Sequence, residues 1–148
     1  VWKRGALEGL KKLSQAFGPI VVVTNQQGIG KGLMTEEDLA LIHDKMIKEA
    51  SAGGGRIDRV YFCGDLKHSR SFFRKPMVGM GLQARKDFPM IRFSCSVMVG
   101  DTISDMRFGK RLQMMTVLID ENPDTARKYP GLVDLRFVDL NKFAAHIL

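Results

Sequence analysis

The chain has 148 residues, 45% hydrophobic and 26% charged, the size and mix of one ordinary folded domain rather than a disordered polymer. Its 23 basic and 16 acidic residues leave a charge of +7, a surplus that favours anionic partners without choosing among them. No apolar run approaches the roughly 18 residues that a membrane span needs, no leader-like pattern opens the chain, and two distant cysteines, Cys63 and Cys95, make neither a disulfide framework nor a Cys-x-x-Cys zinc pair, so a reduced cytoplasmic protein is expected.

Ala6, Leu7, Leu10, Leu13 and Phe17 recur at helical spacing and predict an amphipathic helix, ended by Gly18-Pro19. Pro19 to Thr24 is a short, unbroken, β-branched run, as in a strand buried on both faces of a parallel sheet. Asn25 to Met34 reads as a glycine-containing loop. Thr35 then reads as an N-cap, with Glu36, Glu37 and Asp38 in the first turn of a helix whose buried stripe is Leu39, Ile42 and Met46. Gly53-Gly54-Gly55 breaks that helix, and Ile57 to Cys63 is the next predicted strand. A polar, basic loop from Gly64 to Lys75 leads to a helix starting at Pro76 and running to about Phe88. Val97 to Gly100 is a third strand, followed by a helix capped by Thr102 or Ser104 and reaching about Gln113. Met115 to Ile119 is a fourth strand. Asp120 to Gly131 is a loop with room for a helical turn, Leu135 to Val138 a short edge strand, and Asp139 caps a final helix.

Strands alternating with helices imply a parallel sheet with right-handed crossovers. Ligands of such sheets gather beyond the carboxyl ends of the strands, so the residues that matter are those just after each strand. Thr24-Asn25 offers a hydroxyl and backbone N–H groups to a phosphate oxygen; the plain alternative is a turn that Asn favours. Asp101 and Asp105, four apart at the end of an apolar strand, share a face if a helix starts there and suit a hard cation such as Mg²⁺; the alternative is one helix cap and one surface charge. Lys75 can present a point charge to a phosphate and Arg74 can fork two oxygens, against the alternative of a solvated basic loop. Lys67, His68 and Arg70 read as solvated, His43 as a boundary residue and His146 as inert. The nine methionines, among them Met77, Met80, Met114 and Met115, read as core filler. Gly28-x-Gly30-x-Gly32 lacks dinucleotide spacing, and no Walker loop or Gly-x-Ser-x-Gly elbow occurs.

In order, VVVTNQQGIGKG, FRKPMVGM and VMVGDTISDM resemble the motifs of the haloacid dehalogenase (HAD) superfamily of phosphatases, and within it the histidinol-phosphate and heptose-bisphosphate phosphatase branch. The resemblance covers about Gly5 to Ile119. It implies a single Rossmann-like α/β domain over 1–148 and hydrolysis of a phosphate monoester of a small metabolite through an aspartyl-phosphate. By the same resemblance Thr24 and the Asn25 backbone hold the transferred phosphoryl group, Lys75 neutralises its oxygens, Arg74 contacts the substrate, and Asp101 binds Mg²⁺ with support from Asp105. Heptose bisphosphate is the first substrate expected and histidinol phosphate the second; neither a nucleic acid nor a membrane is an expected partner.

Three departures qualify the resemblance. The family's nucleophile lies in an Asp-x-Asp motif on an earlier strand, and here no two aspartates stand two apart. The chain is therefore expected to be an N-terminally truncated form, inactive alone, whose sheet lacks its central first strand between the strands ending at Thr24 and Gly100. The zinc loop of some relatives is reduced to Cys63 and His68, with Ser71 and Phe73 near the cysteine positions, so no zinc is expected. Thr102 follows Asp101 where family members often carry a basic residue.

Overall fold

The computed structural model describes residues 2–148. In chain order the elements are α1 (Ala6–Ala16), β1 (Val21–Asn25), α2 (Gln27–Gly30), α3 (Glu36–Ala52), β2 (Arg59–Cys63), α4 (Gly79–Asp87), β3 (Val97–Gly100), α5 (Ile103–Arg111), β4 (Met115–Ile119), α6 (Pro123–Lys128), β5 (Leu135–Phe137) and α7 (Leu140–Ile147), with short 3₁₀ turns at Lys67–Ser69 and Phe93–Cys95. All strand pairs are parallel, joined by helical crossovers.

Strand alternation builds three layers. On β1, Val21 and Val23 pack with Tyr61, Cys63, Met80 and Ala84 beneath α4, while Val22 turns to the opposite face with Leu10, Ala50 and Ile57. On β3, Met98 meets Phe108 and Leu112 of the α5 side, whereas Val97 and Val99 pack with Leu13, Val117, Phe143 and Ala144 beneath α1 and α7. The unbroken Val-Val-Val run thus reflects apolar neighbours on both faces.

The strands form two separate sheets, β1-β2 and β3-β4-β5. Hydrogen bonds identify the unpaired edges. The Gln26 N–H donates to the Cys63 carbonyl, so the even-numbered residues of β1 face β2 and Val21, Val23 and Asn25 turn their main-chain groups away. The Met115 N–H donates to the Ser96 carbonyl, which leaves Val97 and Val99 turned away from β4. These two edges border one core: Ile20 packs in the cluster that takes Val97 and Val99, and Val23 packs against the cluster of Met98. β1 and β3 have not closed on each other through hydrogen bonds, and every residue of β1 is only half-buried, unlike a strand in the middle of an intact sheet.

Several expectations shift. The helix expected from Pro76 begins at Gly79, because residues 74–77 are drawn into a turn in which the Met77 N–H reaches the Arg74 carbonyl at 2.9 Å and the Gly79 N–H reaches that of Phe72 at 2.9 Å. α2 interrupts the loop expected from Asn25 to Met34. The helical turn foreseen in 120–131 is α6, with Asn122 as its cap and Pro123 at its start. The methionines divide: Met80 and Met106 are fully buried core residues, while Met77, Met90 and Met115 are exposed, so core filling explains only some of them.

Candidate active site

Lys75 sits at the centre of the rim. Its Nζ donates to the Val23 carbonyl at 2.9 Å, on the unpaired edge of β1, and to Asp105 Oδ1 at 2.6 Å, on α5 just beyond β3. One ammonium therefore bridges the two sheets at their carboxyl ends. Both side chains are nearly out of solvent, at 11% and 8% exposure, so each is the other's counter-charge in place of water.

Asn25 fixes where Lys75 begins. Its Oδ1 accepts the Lys75 N–H at 3.0 Å and its Nδ2 donates to the Lys75 carbonyl at 3.3 Å. This two-point hold on the main chain is a role for the Asn25 side chain beyond the backbone role that the motif implies. Thr24 lies one residue earlier, and its Oγ1 accepts a hydrogen bond from Gln26 Nε2 at 3.0 Å.

Asp105 anchors the other side. Thr102 and Asp105 form a capping box at the start of α5. Asp105 Oδ2 accepts from the Asp101 N–H, the Thr102 N–H and the Thr102 hydroxyl at 3.2, 3.2 and 2.9 Å, while Oδ1 takes Lys75. Both oxygens are committed to protein donors. Asp105, expected to support a cation, is here the counter-charge that aims Lys75 and the cap that starts α5. Gly100 permits the approach, since a methyl group there would collide with the Asp105 side chain.

Asp101 is the carboxylate left facing the rim. Its side chain is 54% exposed and its Oδ2 accepts from Lys3 Nζ at 2.8 Å. The hydrogen bond from Lys3 holds the Asp101 carboxyl below the usual carboxylate range against the opposing effect of burial, with a further contribution from the charge of Lys75. Asp101 is thus an ionised carboxylate already paired with a cationic side chain. That chemistry fits one corner of a Mg²⁺ site, since this ion is commonly held by one or two carboxylates plus phosphate oxygens and water. Among the described residues no group of three or more His, Cys, Asp and Glu is arranged to hold a metal.

Arg74 adds an unusual donor. Its Nη1 is buried and has no hydrogen-bond partner among the described residues. Buried guanidinium nitrogens are normally satisfied, so an anion at this point would complete it. Cys63 ends β2 in register with Asn25, its thiol buried with Sγ 3.5 Å from Asp65 Oδ2 and 3.9 Å from Ser71 Oγ.

The structure therefore gathers Thr24, Asn25, Lys75, Asp101 and Asp105 at one end of the strands, with Arg74 adjoining through Lys75. The sequence reading missed Gln26 and Lys3. Gln26 had a local signal, an amide two residues beyond the strand-ending hydroxyl. Lys3 had none, because it reaches Asp101 only through the tertiary fold.

Comparison with known proteins identifies the family. A family profile described as HAD-hydrolase-like matches residues 72–131, which hold Arg74, Lys75, Asp101 and Asp105. The D-glycero-alpha-D-manno-heptose-1,7-bisphosphate 7-phosphatase of Mycobacterium bovis is 33% identical over 147 residues, covering 99% of this chain and 77% of that protein. The enzyme of the same name from Burkholderia mallei is 37% identical over 133 residues, covering 82% and 69%. Among solved structures, a D,D-heptose 1,7-bisphosphate phosphatase from B. bronchiseptica, complexed with magnesium and phosphate, superposes with a TM-score of 0.87 at 25% identity, over 99% of this chain and 83% of that one. The corresponding protein from Burkholderia thailandensis superposes with a TM-score of 0.72 at 31% identity, over 99% and 86%. With the fold, the ordered motifs and relatives matched over more than two thirds of their length in agreement, the chain belongs to the HAD-like hydrolase family.

Proposed function

We propose that this chain carries the phosphoryl-binding and cation-binding half of a Mg²⁺-dependent sugar-phosphate phosphatase site, with heptose bisphosphate the first substrate and histidinol phosphate the alternative. The observation that carries the reading is Lys75, a buried ammonium fixed between β1 and Asp105 at the rim that also presents Thr24 and Asp101. The relatives' names support the sugar-phosphate class.

In this reading the Thr24 hydroxyl and the Asn25 main-chain N–H, which faces away from β2, donate to the phosphoryl oxygens. Lys75 neutralises them, and Arg74 Nη1 takes an ester oxygen. Asp101, once released from Lys3, would hold Mg²⁺, and the ion would offset the negative charge of the phosphoryl group. A low-dielectric, preorganised set of donors of this kind stabilises charge without reorganising. The attacking carboxylate belongs to an Asp-x-Asp segment, which these 148 residues do not contain. The chain by itself is therefore expected to bind phosphate without turning it over, and this gap favours a non-catalytic phosphate-binding domain as the second reading.

The test measures phosphate release from heptose 1,7-bisphosphate and from histidinol phosphate, with Mg²⁺, by this chain and by one extended at its N-terminus with an Asp-x-Asp strand. Turnover by the extended chain alone is expected. Turnover by the 148-residue chain would refute the missing nucleophile, and none by the extended chain on any phosphate ester would refute the phosphatase class.

A further inference from the structure

One polar side chain at the rim has no part yet in binding or charge. Gln26 follows β1 and turns back, so that its Nε2 donates to Thr24 Oγ1 at 3.0 Å. Its backbone cannot drift. The Gln26 N–H is held by the Cys63 carbonyl at 2.7 Å, and its own carbonyl accepts the Ile29 N–H at 3.2 Å. The next residue pins the loop from the other side, where Gln27 Oε1 accepts the Lys67 N–H at 2.9 Å.

A threonine hydroxyl can donate one hydrogen and accept through two lone pairs, and it rotates to suit its neighbours. The oxygens of a bound phosphate are mainly acceptors, so a site for one needs that hydroxyl to donate. The competing acceptor within reach is the Asn25 carbonyl, at 3.5 Å, well beyond the usual 2.7–2.8 Å of a good O–H···O bond. A hydrogen bond received from Gln26 occupies a lone pair of Oγ1, leaves the hydrogen to point elsewhere, and strengthens it as a donor.

We propose that Gln26 is a positioning residue that sets the Thr24 hydroxyl as a donor to a phosphate oxygen. The inference rests on the phosphate-binding reading above and adds the residue that gives Thr24 its polarity. It requires an amide of this length: Asn is one methylene short of Thr24, and Glu would accept the hydroxyl hydrogen and add a repelling charge.

The test is a titration of the 148-residue chain with inorganic phosphate, followed by ³¹P NMR, for the unaltered chain, Gln26→Ala, Gln26→Met and Gln26→Glu, each also made with Thr24→Val. Thermal melts establish that each variant is folded, and Gln26→Met serves if Gln26→Ala is not. With Thr24 present, removing the amide is expected to weaken phosphate binding about three- to tenfold, the worth of one ordinary hydrogen bond. Gln26→Glu weakens it more than Gln26→Met does. With Thr24→Val in place, removing the amide costs nothing further, which a merely structural role would not give. Unchanged binding in Gln26→Ala and Gln26→Met, or an equal loss with and without Thr24, would overturn the inference alone. No phosphate binding by the unaltered chain would overturn the reading on which it rests as well.

Discussion

At the scale of single residues, the pair Lys75–Asp105 sets the largest penalties. Removing one member of a buried ion pair strands the other charge at a cost of about 3–5 kcal/mol, whereas replacing both with apolar groups is often far milder. Lys75→Met is therefore expected to lower the urea midpoint sharply, and Lys75→Met with Asp105→Leu to recover much of the loss. An equal or larger loss in the double variant would count against this account. Tyr61 gives a pH-dependent prediction. Burial pushes its hydroxyl up to about 12, aided by the hydrogen bond to Asp87, made at 2.6 Å. The unfolded chain releases this proton near pH 10 and the folded chain retains it, so the stabilisation is complete below pH 10 and is lost as the pH climbs through 12. Equilibrium unfolding measured from pH 9 to 12 should show that decline, and Tyr61→Phe should flatten it.

At the scale of elements, close packing decides more than helix preference. A methyl group on Gly9 of α1 would stand 2.7 Å from the Leu140 carbonyl carbon and 2.8 Å from the Asn141 nitrogen, which are backbone atoms at the start of α7. Alanine forms helix better than glycine by about 1 kcal/mol, yet overpacking against backbone costs about 1–3 kcal/mol. Gly9→Ala is expected to lower the melting temperature, and a rise would show that α7 can retreat. The same scale explains what the sequence made legible. The five strands and the main helices could be read because apolar runs and helical stripes are local patterns, and Thr35, Thr102 and Asp139 cap as their positions suggest, although Ile42, expected in the buried stripe of α3, is exposed. The start of α4 was misread because Asn25, fifty residues away, holds the Lys75 main chain in a turn that Pro76 alone does not reveal. Likewise the spacing of Asp105 from Asp101 did not reveal that Thr102 and Lys75 donate to its oxygens, because Lys75 arrives there only through the fold.

At the scale of the whole molecule, two half-sheets share one core but no ladder of hydrogen bonds. Main-chain amides on the unpaired edges of β1 and β3 should exchange with solvent faster than those bound within a sheet. Hydrogen exchange is expected to find the Val23 and Val99 amides less protected than that of Val22 or Val117, and equal protection would mean that the edges are covered. The contact between α1 and α7 carries a different consequence. Lys12 reaches Asn141 at 2.7 Å, and Leu13 lies against Phe143 and Ala144. During synthesis α1 leaves the ribosome long before its main neighbour exists. Its apolar face must wait, bare or guarded by a chaperone, until translation has delivered α7.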